Sequence, residues 1–259
     1  MSDVVRFEFE KPERFKAVEY DARVVRREWV TPDTLEIGFE PVGASMFDFH
    51  PGQYVSVVLD ADEGAGLKRE LRPYSMWNHP EEFQYVVTVA KMVDGGRCTS
   101  WMRDVPVGAP LKFVGPLGGF VLRRPLHPHI YFVATGTGVV PFRAMLKDMR
   151  ASGELRRVKT TLLFGVRTQD DLFSVDEFER YARDFPDFTF VPTLSRAKPG
   201  WAGATGRVTA HLAEWDLPVD DMQIYFCGNG RMVTDGVELM KQKGLNPRTR
   251  RVIVEKYFD

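Results

Sequence analysis

The hydrophobic period of the chain changes near residue 125, and that change dictates two differently built halves. Before it lie short runs rich in β-branched and aromatic residues, at 22–27, 34–39, 53–59, 83–90 and 110–114. Turn clusters such as Pro41-Val42-Gly43, Asp62-Glu63-Gly64-Ala65-Gly66 and Asp94-Gly95-Gly96 separate them. Evenly spaced short strands with Gly and Pro punctuation predict an antiparallel β-barrel over 18–124. Arg123-Arg124-Pro125-Leu126-His127-Pro128-His129 then carries two prolines that stop either period from continuing. Beyond it, apolar strand runs at 130–134, 160–166, 188–194, 224–227 and 251–255 alternate with helical spacing at 141–149, 175–185, 208–213 and 232–243. Five strands alternating with helices predict an α/β domain over 130–259, with a doubly wound, five-stranded parallel sheet. Residues 1–17 are charged and weakly patterned and stand as an N-terminal extension.

Composition narrows the function. With 259 residues the chain has room for two domains and needs no disulfide or metal staple. Thirty-five Lys and Arg against 36 Asp and Glu leave a formal charge of -1, which argues against a nucleic-acid binder held by bulk electrostatics. No apolar run approaches the ~18–20 residues of a membrane span. The charged start, Met1 to Arg6, has no signal-peptide core, so a cytoplasmic location is expected. Two cysteines, Cys98 and Cys227, cannot supply the four ligands of an iron–sulfur cluster. The five histidines form no metal-site pattern. If this chain moves electrons, its redox centre is organic.

Thr135-Gly136-Thr137-Gly138-Val139-Val140-Pro141 directly follows the first strand of the second half. Glycines there permit a tight turn and close approach of a ligand, and the next helix offers free N–H groups to a phosphate. Pro141 suits a first helical turn, where its missing N–H costs nothing. Thr137 and Gly138 are therefore candidate nucleotide contacts. Arg167 ends the second strand, Ser195-Arg196 ends the third and Arg207 follows in Thr205-Gly206-Arg207. Arginines at such positions suit the extra phosphate of NADP(H) better than the bare ribose of NAD(H).

Five ordered motifs span nearly the whole chain: Pro51-Gly52-Gln53, Arg72-Pro73-Tyr74-Ser75, Gly96 through Trp101, Thr135 through Arg143, and Cys227-Gly228 with the tail Val254-Glu255-Lys256-Tyr257. In order and spacing they resemble the ferredoxin–NADP reductase family. Read without that resemblance, Arg72–Ser75 is a loop between two strands.

The resemblance implies an FAD-binding barrel followed by an NAD(P)-binding α/β domain. It places Arg72 on the FAD pyrophosphate, Pro73 and Tyr74 at the flavin ring, and Ser75 near the flavin nitrogen that accepts the hydride. Thr99, at the start of a short helix, would hold the pyrophosphate, and Val89, Lys91, Gly96 and Cys98 are further cofactor positions. Cys227 and Glu255 would lie beside nicotinamide and flavin, Glu255 relaying protons through Ser75. Tyr257 would cover the flavin and Phe258 would pack against it or the FAD adenine. The implied activity is hydride transfer between NADP(H) and FAD, with single electrons passed to a ferredoxin or flavodoxin by a monomeric chain. Trp201-Ala202-Gly203 is similar to the NADH-using reductases of multicomponent oxygenases, which form the alternative. A non-catalytic subunit that kept the fold is a third reading, but it would need none of Ser75, Cys227, Glu255 and the aromatic tail.

Overall fold

Ala22 and Val24 are buried while Asp21 and Arg23 face solvent, the period of two that makes a strand with one face on a core. This strand, β1 (Val18–Thr31), pairs antiparallel with β2 (Thr34–Pro41) and β6 (Pro110–Leu117). With β3 (Tyr54–Leu59), β4 (Glu70–Ser75) and β5 (Val86–Lys91) they form a six-stranded sheet ordered β4-β3-β6-β1-β2-β5. A bridge between Met76 and Thr88 brings the two edges together and closes the barrel. Helix α1 (Arg97–Asp104) buries Cys98 and Met102 against a core that includes Phe39 and Phe113. The computed structural model describes residues 9–61, 66, 68–245 and 249–257. Phe258 and most of the Asp62–Gly66 turn cluster lie outside the described residues.

The second half builds β7 (His129–Thr135), β8 (Lys159–Val166), β9 (Phe188–Leu194), β10 (Ala204–Thr205), β11 (Met222–Asn229) and β12 (Val252–Tyr257), all parallel and ordered β10-β9-β8-β7-β11-β12. Helices α2 (Val140–Ala151) and α3 (Val175–Asp184) cover one face through Phe142, Met145, Phe178 and Tyr181. Helices α4 (Val208–Glu214) and α5 (Gly230–Gln242) cover the other through Leu212, Val233 and Met240. The sheet has six strands rather than the expected five. The extra edge strand, β10, is two residues long, too short for a hydrophobic period to show.

The sequence expectation for Arg72–Ser75 also needs correction: these residues form strand β4, not a loop. Half of β4 is exposed, only Ser75 is buried and the strand contains a proline, so it carries no buried alternation. Proline is tolerated because β4 hydrogen-bonds along only one side, to β3. The helix expected to begin at Thr99 starts two residues earlier, at Arg97. Residues 9–17 have no regular structure and run across the barrel toward the linker. Glu10 donates its N–H to the Arg124 carbonyl at 2.8 Å, and the Glu13 carbonyl lies 2.9 Å from His50 Nε2. The halves share one apolar core, in which barrel residues Trp77, Val89 and Phe120 pack with Phe132 and Phe142.

Candidate functional site

Ser75 ends β4 in the barrel, while Glu255 and Tyr257 lie on β12, about 180 positions further along the chain. The fold brings them together: Ser75 Oγ donates to Glu255 Oε2 at 3.3 Å and lies 2.7 Å from the Tyr257 hydroxyl. Cys227, on the neighbouring strand β11, is in register with Glu255 and fully buried. The Tyr257 hydroxyl also interacts with the Cys227 thiol, opposing the upward push of burial on that thiol. Burial pushes the Glu255 carboxyl up to about 7, against the opposing pull of Ser75. Burial, and then the Glu255 charge, push the Cys227 thiol well up, so it stays protonated at neutral pH. The four expected catalytic residues thus form one cluster at the domain junction.

On the barrel side, Arg72 is exposed and pairs with Glu70 at 2.9 Å. Pro73 lies beside it and Tyr74 is part-buried, its phenol held neutral by burial and by the neighbouring Cys98. Gly96 is the N-cap residue of α1 and no side chain caps that end, so the first-turn N–H groups are free. The Thr99 hydroxyl turns inward and donates to the Val93 and Gly96 carbonyls at 3.1 Å each. Thr99 therefore shapes the turn, and what it can offer a phosphate is its backbone amide. Arg97 is tied to the Lys68 and Asp60 carbonyls. An arginine, a half-buried aromatic ring and a run of free amides on one edge fit a flavin with its diphosphate.

The α/β side opens a cleft of about 800 Å³ lined by Lys91, Thr137, Arg167, Ser195, Arg207 and Tyr257, among others. The two glycines of its turn differ in role. Gly138 lies so close to β11 that a Cβ would fall 2.1 Å from the Cys227 carbonyl oxygen, so it is fixed by packing. Gly136 has φ +54° and open space beside it, and is the one that faces the cleft. Val89 is buried in the shared core.

Arg167 is committed: it bonds Asp171 at 2.8 Å and lies 3.5 Å from Asp33. Lys91 pairs with the same two carboxylates at 3.2 and 2.9 Å. Burial opposes ionisation of Asp171, but hydrogen bonds from Arg167, Thr168 and Lys91 win and hold it well below the usual carboxylate range. Arg196 is exposed and outside the cleft lining. Arg207 lines the cleft and makes no ion pair among the described residues. So does Arg231, in the first turn of α5, which the sequence reading missed. Its position after Cys227-Gly228-Asn229-Gly230, at a strand-to-helix turn like that of Arg207, was the available signal.

The oxidoreductase FAD-binding domain family matches residues 21–122, and the oxidoreductase NAD-binding domain family matches 132–238. A ferredoxin–NADP reductase B of Sorangium cellulosum is 33% identical over 93% of this chain and 99% of its own length. The chain belongs to the ferredoxin–NADP reductase family. It is an FAD- and NAD(P)-binding oxidoreductase. The reductase component of a propane 2-monooxygenase from Rhodococcus jostii is 30% identical over 86% of this chain, which spans 60% of that longer protein. Among solved structures, the Amycolatopsis cytochrome P450 reductase GcoB matches with a TM-score of 0.81 at 28% identity, over 94% of this chain and 71% of that one. A Neisseria gonorrhoeae ferredoxin NADP+ reductase with bound FAD and NADP shares the fold at 19% identity and a TM-score of 0.77, over 92% of this chain and 98% of that one. No helix among the described residues is long and apolar enough to cross a membrane.

Proposed function

We propose that this reductase takes a hydride from NADPH onto FAD and hands single electrons to a separate ferredoxin or flavodoxin. The observation that carries the reading is the meeting of Ser75, Cys227, Glu255 and Tyr257 at the domain junction, where Tyr257 also lines the nucleotide cleft. FAD, when bound, accepts two electrons together and releases them one at a time, which is the chemistry such a chain lacks in its own side chains. Arg72, Tyr74 and the free amides of α1 hold the flavin nucleotide. Ser75 and Glu255 hold a proton at Ser75 Oγ, with Glu255 poised near neutrality to give or take it. Cys227, neutral and buried near the end of β11, would form the floor beneath the nicotinamide. Tyr257 covers that floor and excludes water until the coenzyme arrives. Two buried free thiols fit a reducing, cytoplasmic compartment.

For the coenzyme, Arg207 and Arg231 are the cleft arginines free to meet a phosphate, and they favour NADPH. A second reading, a reductase serving an oxygenase, is favoured by the similarity to the monooxygenase component. The Trp201 motif does not add to it, since the indole N–H donates to the Ala204 carbonyl at 2.9 Å and serves the local turn. The deciding experiment mixes the FAD-loaded protein anaerobically with stoichiometric NADPH or NADH and follows the flavin absorbance. Faster bleaching by NADPH is expected, with Arg207→Ala losing at least about tenfold in NADP+ affinity and little in NAD+ affinity. Faster bleaching by NADH moves the assignment to the oxygenase reductase. A protein that binds no flavin loses the catalytic reading altogether.

A further inference from the structure

Arg143 is a charged residue on α2 that is only 8% exposed, wedged between the two domains. Its Nη1 donates to the Trp77 carbonyl at 3.0 Å, and its guanidinium lies 4.4 Å from the centroid of the Trp77 ring. Nε donates to Glu177 at 2.7 Å, and the other nitrogens reach Glu82 at 3.1 and 3.2 Å. Lys147, one turn along α2, bonds Glu82 at 2.7 Å and lies 3.6 Å from Glu177. Two cations and two carboxylates balance. Trp77 and Glu82 belong to the barrel, the other three to the α/β domain.

Buried ion clusters add little net stability over well-packed apolar residues, so their effect lies in fixing geometry. Here the geometry fixed is that of Trp77, two residues after Ser75. The intervening backbone is stiff: Met76 donates to the Gln53 carbonyl and Trp77 to the Val87 carbonyl, at 3.0 and 2.7 Å. The Trp77 ring also packs 5.8 Å from Phe173, which lines the nucleotide cleft. On its other side, Arg143 projects from the helix that the Thr135–Val139 turn opens into. One side chain therefore ties the coenzyme turn to the strand end bearing Ser75.

We propose that Arg143 is a positioning residue, acting through the Trp77 carbonyl to hold Ser75 in register with the coenzyme turn. The inference rests on the proposed function, in that the cleft receives the coenzyme and the Ser75 edge the flavin. The test uses FAD-loaded protein carrying Arg143→Lys, which keeps the charge but loses the fork to Trp77 and both carboxylates. Expected are retained FAD, an NADP+ affinity within about threefold of wild type, and flavin reduction by saturating NADPH slowed at least about tenfold, in line with the sensitivity of hydride transfer to small misplacements. The absorbance change on NADP+ binding shrinks in parallel. Glu82→Gln, a gentler change, gives the same pattern with a smaller loss, and serves alone if the lysine variant does not fold. Wild-type reduction rates and difference spectra in these variants overturn the inference. So does a slowing that vanishes at high NADPH, which makes Arg143 a coenzyme contact. A wild-type flavin bleached by neither coenzyme overturns the proposed function, and the inference with it.

Discussion

Ser75 has a single hydroxyl proton, so its two partners dictate a direction. With Glu255 ionised, Ser75 donates to it and Tyr257 donates to Ser75. With Glu255 protonated, the chain can run the other way. Its raised carboxyl means the folded state holds the proton more tightly than the unfolded chain, whose value is 4.5. The stability this contributes is full below about 4.5 and lost as pH rises through about 7. Glu255→Gln should therefore flatten the pH dependence of the unfolding midpoint between those values and leave the variant the more stable above pH 7, by on the order of 2 kcal/mol at most. Turnover should lose its decline above about pH 7, which reports Glu255 as the proton donor. A thermal and kinetic pH series on both proteins checks each; an unchanged alkaline limb removes Glu255 from proton transfer. At this scale the sequence showed the cluster only through motif order. No local pattern announces that residues 75 and 255 touch. Arg231 stayed invisible because an exposed arginine in a helix first turn looks like any solvated one.

Strands that form distinct apolar runs between helical segments were legible, and β9 matches its predicted bounds residue for residue. Elements whose burial is set by the other domain were not. Strand β4 is an edge with a proline and a solvent face, so it read as loop. Strand β12 runs two residues past its apolar stretch because Tyr257 pairs with Asn229 and its hydroxyl reaches the barrel. That extension makes β12 a device as well as a sheet edge, since its last described residue both lines the cleft and bonds Ser75. Removing Tyr257 through Asp259 should open the position the ring occupies. The expected result is tighter NADP+ binding, by several-fold or more, with a shifted flavin spectrum, read by absorbance titration. Unchanged affinity together with an unchanged spectrum would take the tail out of the mechanism.

Across the whole molecule, ion pairs join the domains at several places among the described residues, and two of these groups differ in burial. The Arg143 cluster is largely buried, whereas at the cleft the more exposed Asp33, Lys91 and Arg167 gather around a part-buried Asp171. Exposed pairs contribute about 0–1 kcal/mol each. The shared apolar core, not the outer bridge, therefore holds the domains together, and the inner cluster fixes their register. What the outer bridge can do is compete. A coenzyme phosphate entering the cleft meets Arg167 and Lys91 already neutralised by two aspartates. Asp33, at the β1–β2 turn, is the more exposed of the two and the farther from Arg167, at 3.5 Å. Asp33→Asn should then tighten NADP+ binding about two- to fivefold at low salt, the equivalent of up to about 1 kcal/mol, with the melting temperature nearly unchanged. Raising the ionic strength should shrink the difference between variant and wild type, because screening weakens exposed pairs first. Titrations of both proteins at two salt concentrations decide it. Weaker NADP+ binding in the variant would mean that Asp33 orients Arg167 and Lys91 toward the phosphate instead of competing for them.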